Sequence, residues 1–198
     1  AEAADEQPLS RLVRSAEHAL ELGDGDRADR LARHALSVDG NSFEVLLPHG
    51  RRRHARRDLT TAALSRRRAL ACSSEGNDER GRAASLMAQV CYLSGDFDQA
   101  ERYAAEAIEH GEAEETRLTA RNVLGKLLLA REKWTDAERH FAEDACDAAV
   151  AGAYEDELRA RLNRAIAILY LGRREQAREM LEAVMVDGER HNVLRAVT

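Results

Sequence analysis

Small and apolar residues recur along this chain at helical spacing. Gly95-Asp96-Phe97-Asp98-Gln99-Ala100 is followed by Ala104 and Ala107. Steps of four and seven place those three alanines on one helix face. The same pattern returns four times. Glu132-Lys133-Trp134-Thr135-Asp136-Ala137 leads to Phe141 and Asp144, and Gly172-Arg173-Arg174-Glu175-Gln176-Ala177 leads to Leu181 and Val184. Gly23-Asp24-Gly25-Asp26-Arg27-Ala28 leads to Ala32 and Ala35, and Asp58-Leu59-Thr60-Thr61-Ala62 leads to Arg66 and Ala69.

The anchoring alanines Ala28, Ala62, Ala100, Ala137 and Ala177 are 34, 38, 37 and 40 residues apart. Twelve positions before each anchor stands another small residue: Ala16, Gly50, Ala88, Gly125 and Ala165. The spacing predicts a helix A, a tight turn and a helix B, five times over, with the small residues letting the two helices approach. Gly or Asp at each turn supplies a C-cap and the next N-cap. The expected units are 9–40, 41–75, 80–114, 117–150 and 157–190, in one array across 1–198. Residues 191–198 read as the start of a further or capping helix. His49, Arg53 and Pro48 disturb the helix A of the second unit.

Composition supports this reading and narrows it. The 198 residues include 36 alanines, 28 arginines, two lysines and two prolines, with 4% aromatic residues. Such a chain favours helix throughout and argues against a sandwich, a barrel or a parallel-sheet enzyme. A net charge of -6 gives no general attraction to nucleic acid. No apolar run approaches the roughly 18 residues of a membrane span. The N-terminus Ala1-Glu2-Ala3-Ala4-Asp5-Glu6 is acidic, lacks the features of a signal peptide and has no initiator Met, as expected of a piece of a larger protein. Cys72, Cys91 and Cys146 are widely spaced, and are expected to be reduced thiols in a cytoplasmic protein, acting as small hydrophobes.

The alanine and glycine spacing resembles the tetratricopeptide repeat (TPR) family over about residues 9–190. Leu86–Glu109 and Val123–Glu143 carry it best, with Leu124-Gly125 and Trp134-x-x-Ala137 in register. The chain departs from the family in lacking the proline that ends helix B, in its longer later repeats and in its degenerate second repeat. The long repeats are similar to those of large bacterial signalling and transcription-regulator proteins. The resemblance implies an all-α, right-handed superhelical solenoid of about five repeats, with a concave groove lined by the A helices. Family register places Arg14, Glu17, Arg51, His54, Arg82, Ser85, Gln89, Tyr92, Asn122, Lys126, Arg159, Asn163 and Tyr170 in that groove. In some TPR modules Lys, Arg and Asn there clamp a peptide's terminal carboxylate. The match to that clamp is partial, and Asn163 also falls where many TPRs carry a structural Asn.

Catalytic and ligand motifs are missing from the sequence. Gly125-Lys126 lacks the upstream Gly of a phosphate loop, and there is no G-x-G-x-x-G, G-x-S-x-G or H-E-x-x-H. His49 and His54 lie roughly 140° apart on a helix. Asp24-Gly25-Asp26 reads as a capping turn, because the downstream ligands of a calcium loop are absent. No metal, cofactor or catalytic residue is expected. Arg51, Arg52, Arg53, Arg56 and Arg57, with Arg66, Arg67 and Arg68, form a basic cluster that sweeps too wide an arc to meet one partner. It reads as solvated charge paired with acidic repeats; a phosphate, RNA or acidic protein patch is the rival, without aromatic stacking platforms. The functional expectation is a non-catalytic scaffold or adaptor binding a protein or peptide, within a larger bacterial cytoplasmic protein. The alternative is a ligand-sensing domain of a transcription regulator or signalling protein.

Overall fold

The computed structural model describes residues 8–22, 24–40, 43, 45–46, 59–73 and 78–190. Among them every regular element is an α-helix. The helices are α1 (Pro8–Glu21), α2 (Gly25–Val38), α3 (Leu59–Cys72), α4 (Asp78–Leu93), α5 (Phe97–His110), α6 (Glu114–Ala130), α7 (Trp134–Val150), α8 (Tyr154–Tyr170) and α9 (Arg174–Arg190). Consecutive helices pack as hairpins: α1 on α2, α4 on α5, α6 on α7 and α8 on α9. From α3 onward each helix packs on the one that follows, and α4–α6–α8 also touch in succession. These last are the A helices of three successive repeats in a solenoid.

Hydrogen bonds at the helix ends show why the turns fall where they do. At the end of α4, Asp96 N–H donates to Cys91 O (2.9 Å) and Gly95 N–H to Tyr92 O (3.1 Å). The same pair of bonds closes α6 through Lys133 and Glu132, α7 through Ala153 and Gly152, and α8 through Arg173 and Gly172. This motif needs a left-handed residue. Gly95, Gly152 and Gly172 supply it with φ of 80°, 68° and 81°, whereas α6 uses Glu132 at 59°. Asp24 and Asp96 then cap the following helices, accepting from Arg27 N–H (3.0 Å) and Gln99 N–H (3.3 Å).

The anchoring alanines are core residues. Ala28, Ala100, Ala137 and Ala177 are fully buried, and Ala16, Ala88 and Ala165 are at most 1% exposed. Ala62 and Gly50 lie outside the described side chains. One core joins Ala84, Met87, Ala88 and Cys91 of α4 to Ala100, Ala104 and Ala107 of α5 and Ala120, Val123 and Leu127 of α6. A second joins Phe43 and Leu46 to Ala69, Ala83 and Leu86. With little side chain between them, the backbones sit close. A Cβ on Gly125 would lie 2.5 Å from the Phe141 ring, and one on Gly81 would lie 2.5 Å from Gly111 N.

Ionic ties between helices repeat as well. Arg80–Glu106, Arg121–Asp147 and Arg161–Asp187 each join the A and B helices of one hairpin across 26 residues. At the turns, Arg131 reaches Glu101 and Arg173 reaches Glu138, each on the B helix of the preceding repeat. Much of the arginine excess is therefore bound into the scaffold.

One sequence expectation is corrected here. Arg66 is no part of an exposed basic cluster. Its side chain is 1% exposed, and its guanidinium donates to Leu86 O (2.8 Å) on α4. The reason is register: Arg66 stands four residues after Ala62, where Phe141 stands after Ala137. Arg67 and Arg68 are exposed, and Arg68 donates to Gly40 O. Arg51, Arg52, Arg53, Arg56 and Arg57 lie outside the described residues.

Candidate groove on the A helices

Helix spacing sets out the face shared by α4, α6 and α8. Six residues before the small residue of each A helix stand Arg82, Thr119 and Arg159; one residue after it stand Gln89, Lys126 and Ile166. Four residues after it come Tyr92, Leu129 and Leu169. Contacts between the helices follow this register. The Lys126 ammonium lies 6.0 Å from the centre of the Tyr92 ring. Asn163 Nδ2 donates to Asn122 Oδ1 (2.8 Å), tying α8 to α6. Arg82 lies over the Phe43 ring at 5.7 Å.

The charges on this face are unequally compensated. Arg159 is paired with Asp156 one turn before it on α8. Burial pushes the Asp156 carboxyl above the ordinary aspartate value; Arg159 opposes that shift, while Glu115 and Glu155 add to it. Lys126 has neither a carboxylate nor a hydrogen-bond acceptor among the described residues. Burial lowers its ammonium below the ordinary lysine value, and the nearby Arg159 charge lowers it further. A cation held partly out of water beside a second cation favours an anion there.

The residues expected in the groove do not all fall on one face. Arg82, Gln89, Tyr92, Lys126 and Arg159 share the α4–α6–α8 face by register. Ser85 and Asn163 are buried: the Ser85 hydroxyl donates to Arg82 O (2.9 Å), and Asn163 is spent on Asn122. Tyr170 is 62% exposed and stacks on Trp134 with ring centres 4.4 Å apart, at the turn end of the face. Arg14 is exposed on α1. The side chain of Glu17, and Arg51 and His54, are outside the described residues. Leu129 and Leu169 stand three residues beyond Lys126 and Ile166 on their helices; Leu129 packs against the buried Ala137, Phe141 and Ala167, whereas Leu169 is 48% exposed.

Away from this face, α6 and α7 enclose a polar cluster. Asp144, 3% exposed, is 2.7 Å from Arg121 Nε and 3.3 Å from His140 Nε2. Burial raises its carboxyl above the ordinary value, with His140 and Arg121 pulling the other way. Cys91 is buried and its thiol is raised mainly by burial, while Cys72 and Cys146 are exposed. Among the described residues no group of His, Cys, Asp and Glu could hold a metal ion, and no helix is long and apolar enough to cross a membrane.

No family model matches the chain. No curated protein matches it either. Solved structures do. PilF of Pseudomonas Aeruginosa superposes with a TM-score of 0.69 at 17% identity, covering 91% of this chain and 76% of its own. A variant of the nearly identical TPR-like repeats from Podosopora anserina gives 0.68 at 15% identity, covering 96% and 99%. YrrB, a TPR protein with an unusual peptide-binding site, gives 0.55 at 20% identity, covering 92% and 87%. The fold is that of a TPR array. Identities this low speak for architecture, and the TPR hairpins seen here are the scaffold on which the groove residues are carried.

Proposed function

We propose that this TPR array is a non-catalytic interaction module, a scaffold or adaptor that takes a protein or peptide partner along the α4–α6–α8 face. The observation that carries this reading is Lys126. It is the one lysine on that face, it is drawn partly out of water near the Tyr92 ring and within reach of the Arg159 charge, and no carboxylate of the described residues meets it. Keeping such a cation has an electrostatic cost that an external partner would relieve. The peptide-binding site of YrrB supports the same use of this fold. The setting proposed for the module is a larger bacterial cytoplasmic protein.

Site-directed photocrosslinking tests the reading. A crosslinking residue replaces Gln89 or Ile166 on the groove face, or the exposed Glu109 or Glu143 on the B helices. In a bacterial lysate the groove positions are expected to give discrete adducts that Lys126→Ala with Arg82→Ala removes. Adducts confined to the B-helix positions, or unaffected by the double substitution, would remove the groove from consideration.

A further inference from the structure

We propose that the outer face of the B helices pairs with a second copy of this chain, α3 of one copy lying on α5 of the other. The A helices are on the other side of the array, so their groove stays open in such a pair. Three observations carry the proposal.

The first is a reversal of charge along the outer face. The helix α3 has no acidic residue, and it exposes Arg67 and Arg68. Before it, α2 exposes Arg27, Arg30 and Arg33 against Asp26. After it, α5 exposes Asp98, Glu101 and Glu109 against Arg102, and α7 exposes Asp136, Glu143 and Asp147 against Arg139. Part of this acidity is answered within the array: Arg131 reaches Asp98 and Glu101, Arg139 reaches Asp136, and Arg121 reaches Asp147. Glu109 and Glu143 have no ion pair among the described residues, and neither do Arg30 and Arg67. A face that is basic on one half and acidic on the other is complementary to a second copy of itself turned over.

The second is register. A two-fold axis running along the B helices, between α3 and α5, puts α3 of each copy over α5 of the other, and the contact closes at two copies. The outer face of a superhelix curves away at both ends, so two such faces meet near the middle, where these helices lie. Arg67 and Ala105 each stand five residues after their anchoring alanines, Ala62 and Ala100. The two-fold therefore sets Arg67 against the small, exposed Ala105. Glu101 and Glu109 flank Ala105 at four residues on either side, about 6 Å along the helix and within reach of an arginine. The same operation points α2 at α7, where the remaining charges attract at longer range.

The third is apolar surface on the same face. Leu64, one turn before Arg67, is 59% exposed, and Val38 at the end of α2 is 56% exposed. Apolar side chains ringed by charge suit the centre of a protein interface. They do not suit nucleic acid: α2 and α3 contain no Phe, Tyr or Trp to stack on bases, and the carboxylates of α5 repel a polyanion lying across the face.

Sedimentation of the full chain over a range of concentrations, in about 0.1 M and about 1 M NaCl, tests this. Screening shortens from about 10 Å to about 3 Å between those conditions, so the dimer expected at low salt should weaken about tenfold or more at high salt. Arg30→Glu with Arg67→Glu turns the basic half acidic, and Glu109→Arg with Glu143→Arg turns the acidic half basic. Each double variant should be monomeric at low salt. An equimolar mixture of the two should regain the dimer, because every altered patch then meets its opposite. The milder Arg67→Gln and Glu109→Gln should each weaken the dimer about threefold or more, with circular-dichroism melts showing that the array is intact. A parent that stays monomeric at low salt, a dimer indifferent to salt, or a mixture of variants that stays monomeric would each overturn the proposal. So would a monomer whose Arg67 holds an RNA oligonucleotide. Groove adducts are read at other residues, so the groove reading and this one fail separately.

Discussion

Replacing Gly125 by alanine sets two forces against each other. In an isolated helix the change is favourable by about 0.8–1.0 kcal/mol, because glycine loses more backbone freedom on folding. In this array the new Cβ would stand 2.5 Å from Cε1 and Cζ of Phe141 and 2.8 Å from Cδ2 of His140. Ordinary carbon contacts lie at about 3.5–4.0 Å, so the overlap is about 1 Å against a ring atom pair. Phe141 is fully buried against Ala137 and Ala167 and has little room to withdraw. Overpacking of this kind costs about 1–3 kcal/mol. The packing force wins, and Gly125→Ala is expected to lose about 1 kcal/mol net. Urea unfolding followed by circular dichroism at the helical band measures it, with an unchanged slope showing that the end states are preserved. Trimming the ring with Phe141→Leu makes space, so the double variant should lose at least about 1 kcal/mol less than the two single losses together. A Gly125→Ala protein more stable than its parent, or an additive cycle, would show that this close approach does not constrain the hairpin.

Three further outcomes are expected. Glu132 holds the left-handed position that Gly95, Gly152 and Gly172 hold elsewhere, so Glu132→Gly should raise stability by about 0.5–1 kcal/mol in the same urea assay, whereas Gly172→Ala should lower it. Asp144 has a carboxyl raised above its ordinary 3.8, so the folded state binds its proton more tightly than the unfolded chain does. Its ionised form therefore subtracts stability as pH rises above about that value. Asp144→Asn should be at least as stable as the parent at pH 7, with the difference closing toward pH 4; a growing difference at low pH would contradict this sign. Finally, Arg66→Ala should cost about 2–4 kcal/mol by emptying a buried slot and freeing the Leu86 carbonyl, while Arg67→Ala should change stability by under about 0.5 kcal/mol in parallel melts.

Arg66 and Asp144 also show how far the sequence reaches. The rule that residues four and seven after each anchoring alanine face inward holds at Ala32, Ala35, Ala69, Ala104, Ala107, Phe141 and Val184, which are all buried. It holds equally at Arg66 and Asp144, where residue chemistry points outward and register points inward. Register wins, because a helix packed on its neighbours cannot rotate one residue out of the stripe. Read consistently, the stripe would have removed Arg66 from the basic cluster. A second signal lay in the chain unread: Arg80, Arg121 and Arg161 each precede an acid by 26 residues, the separation that joins the two helices of a hairpin. Contacts between repeats are a different matter. Asn163 meets Asn122 across 41 residues, and nothing periodic announces that their amides meet each other rather than a ligand. The charge state of the groove depends on which cations are already paired, and pairing is set by side-chain direction between helices. Family register put Arg159 and Lys126 together in one groove. Only the packing of α4, α6 and α8 separates Arg159, which has the Asp156 carboxylate, from Lys126, which has none among the described residues.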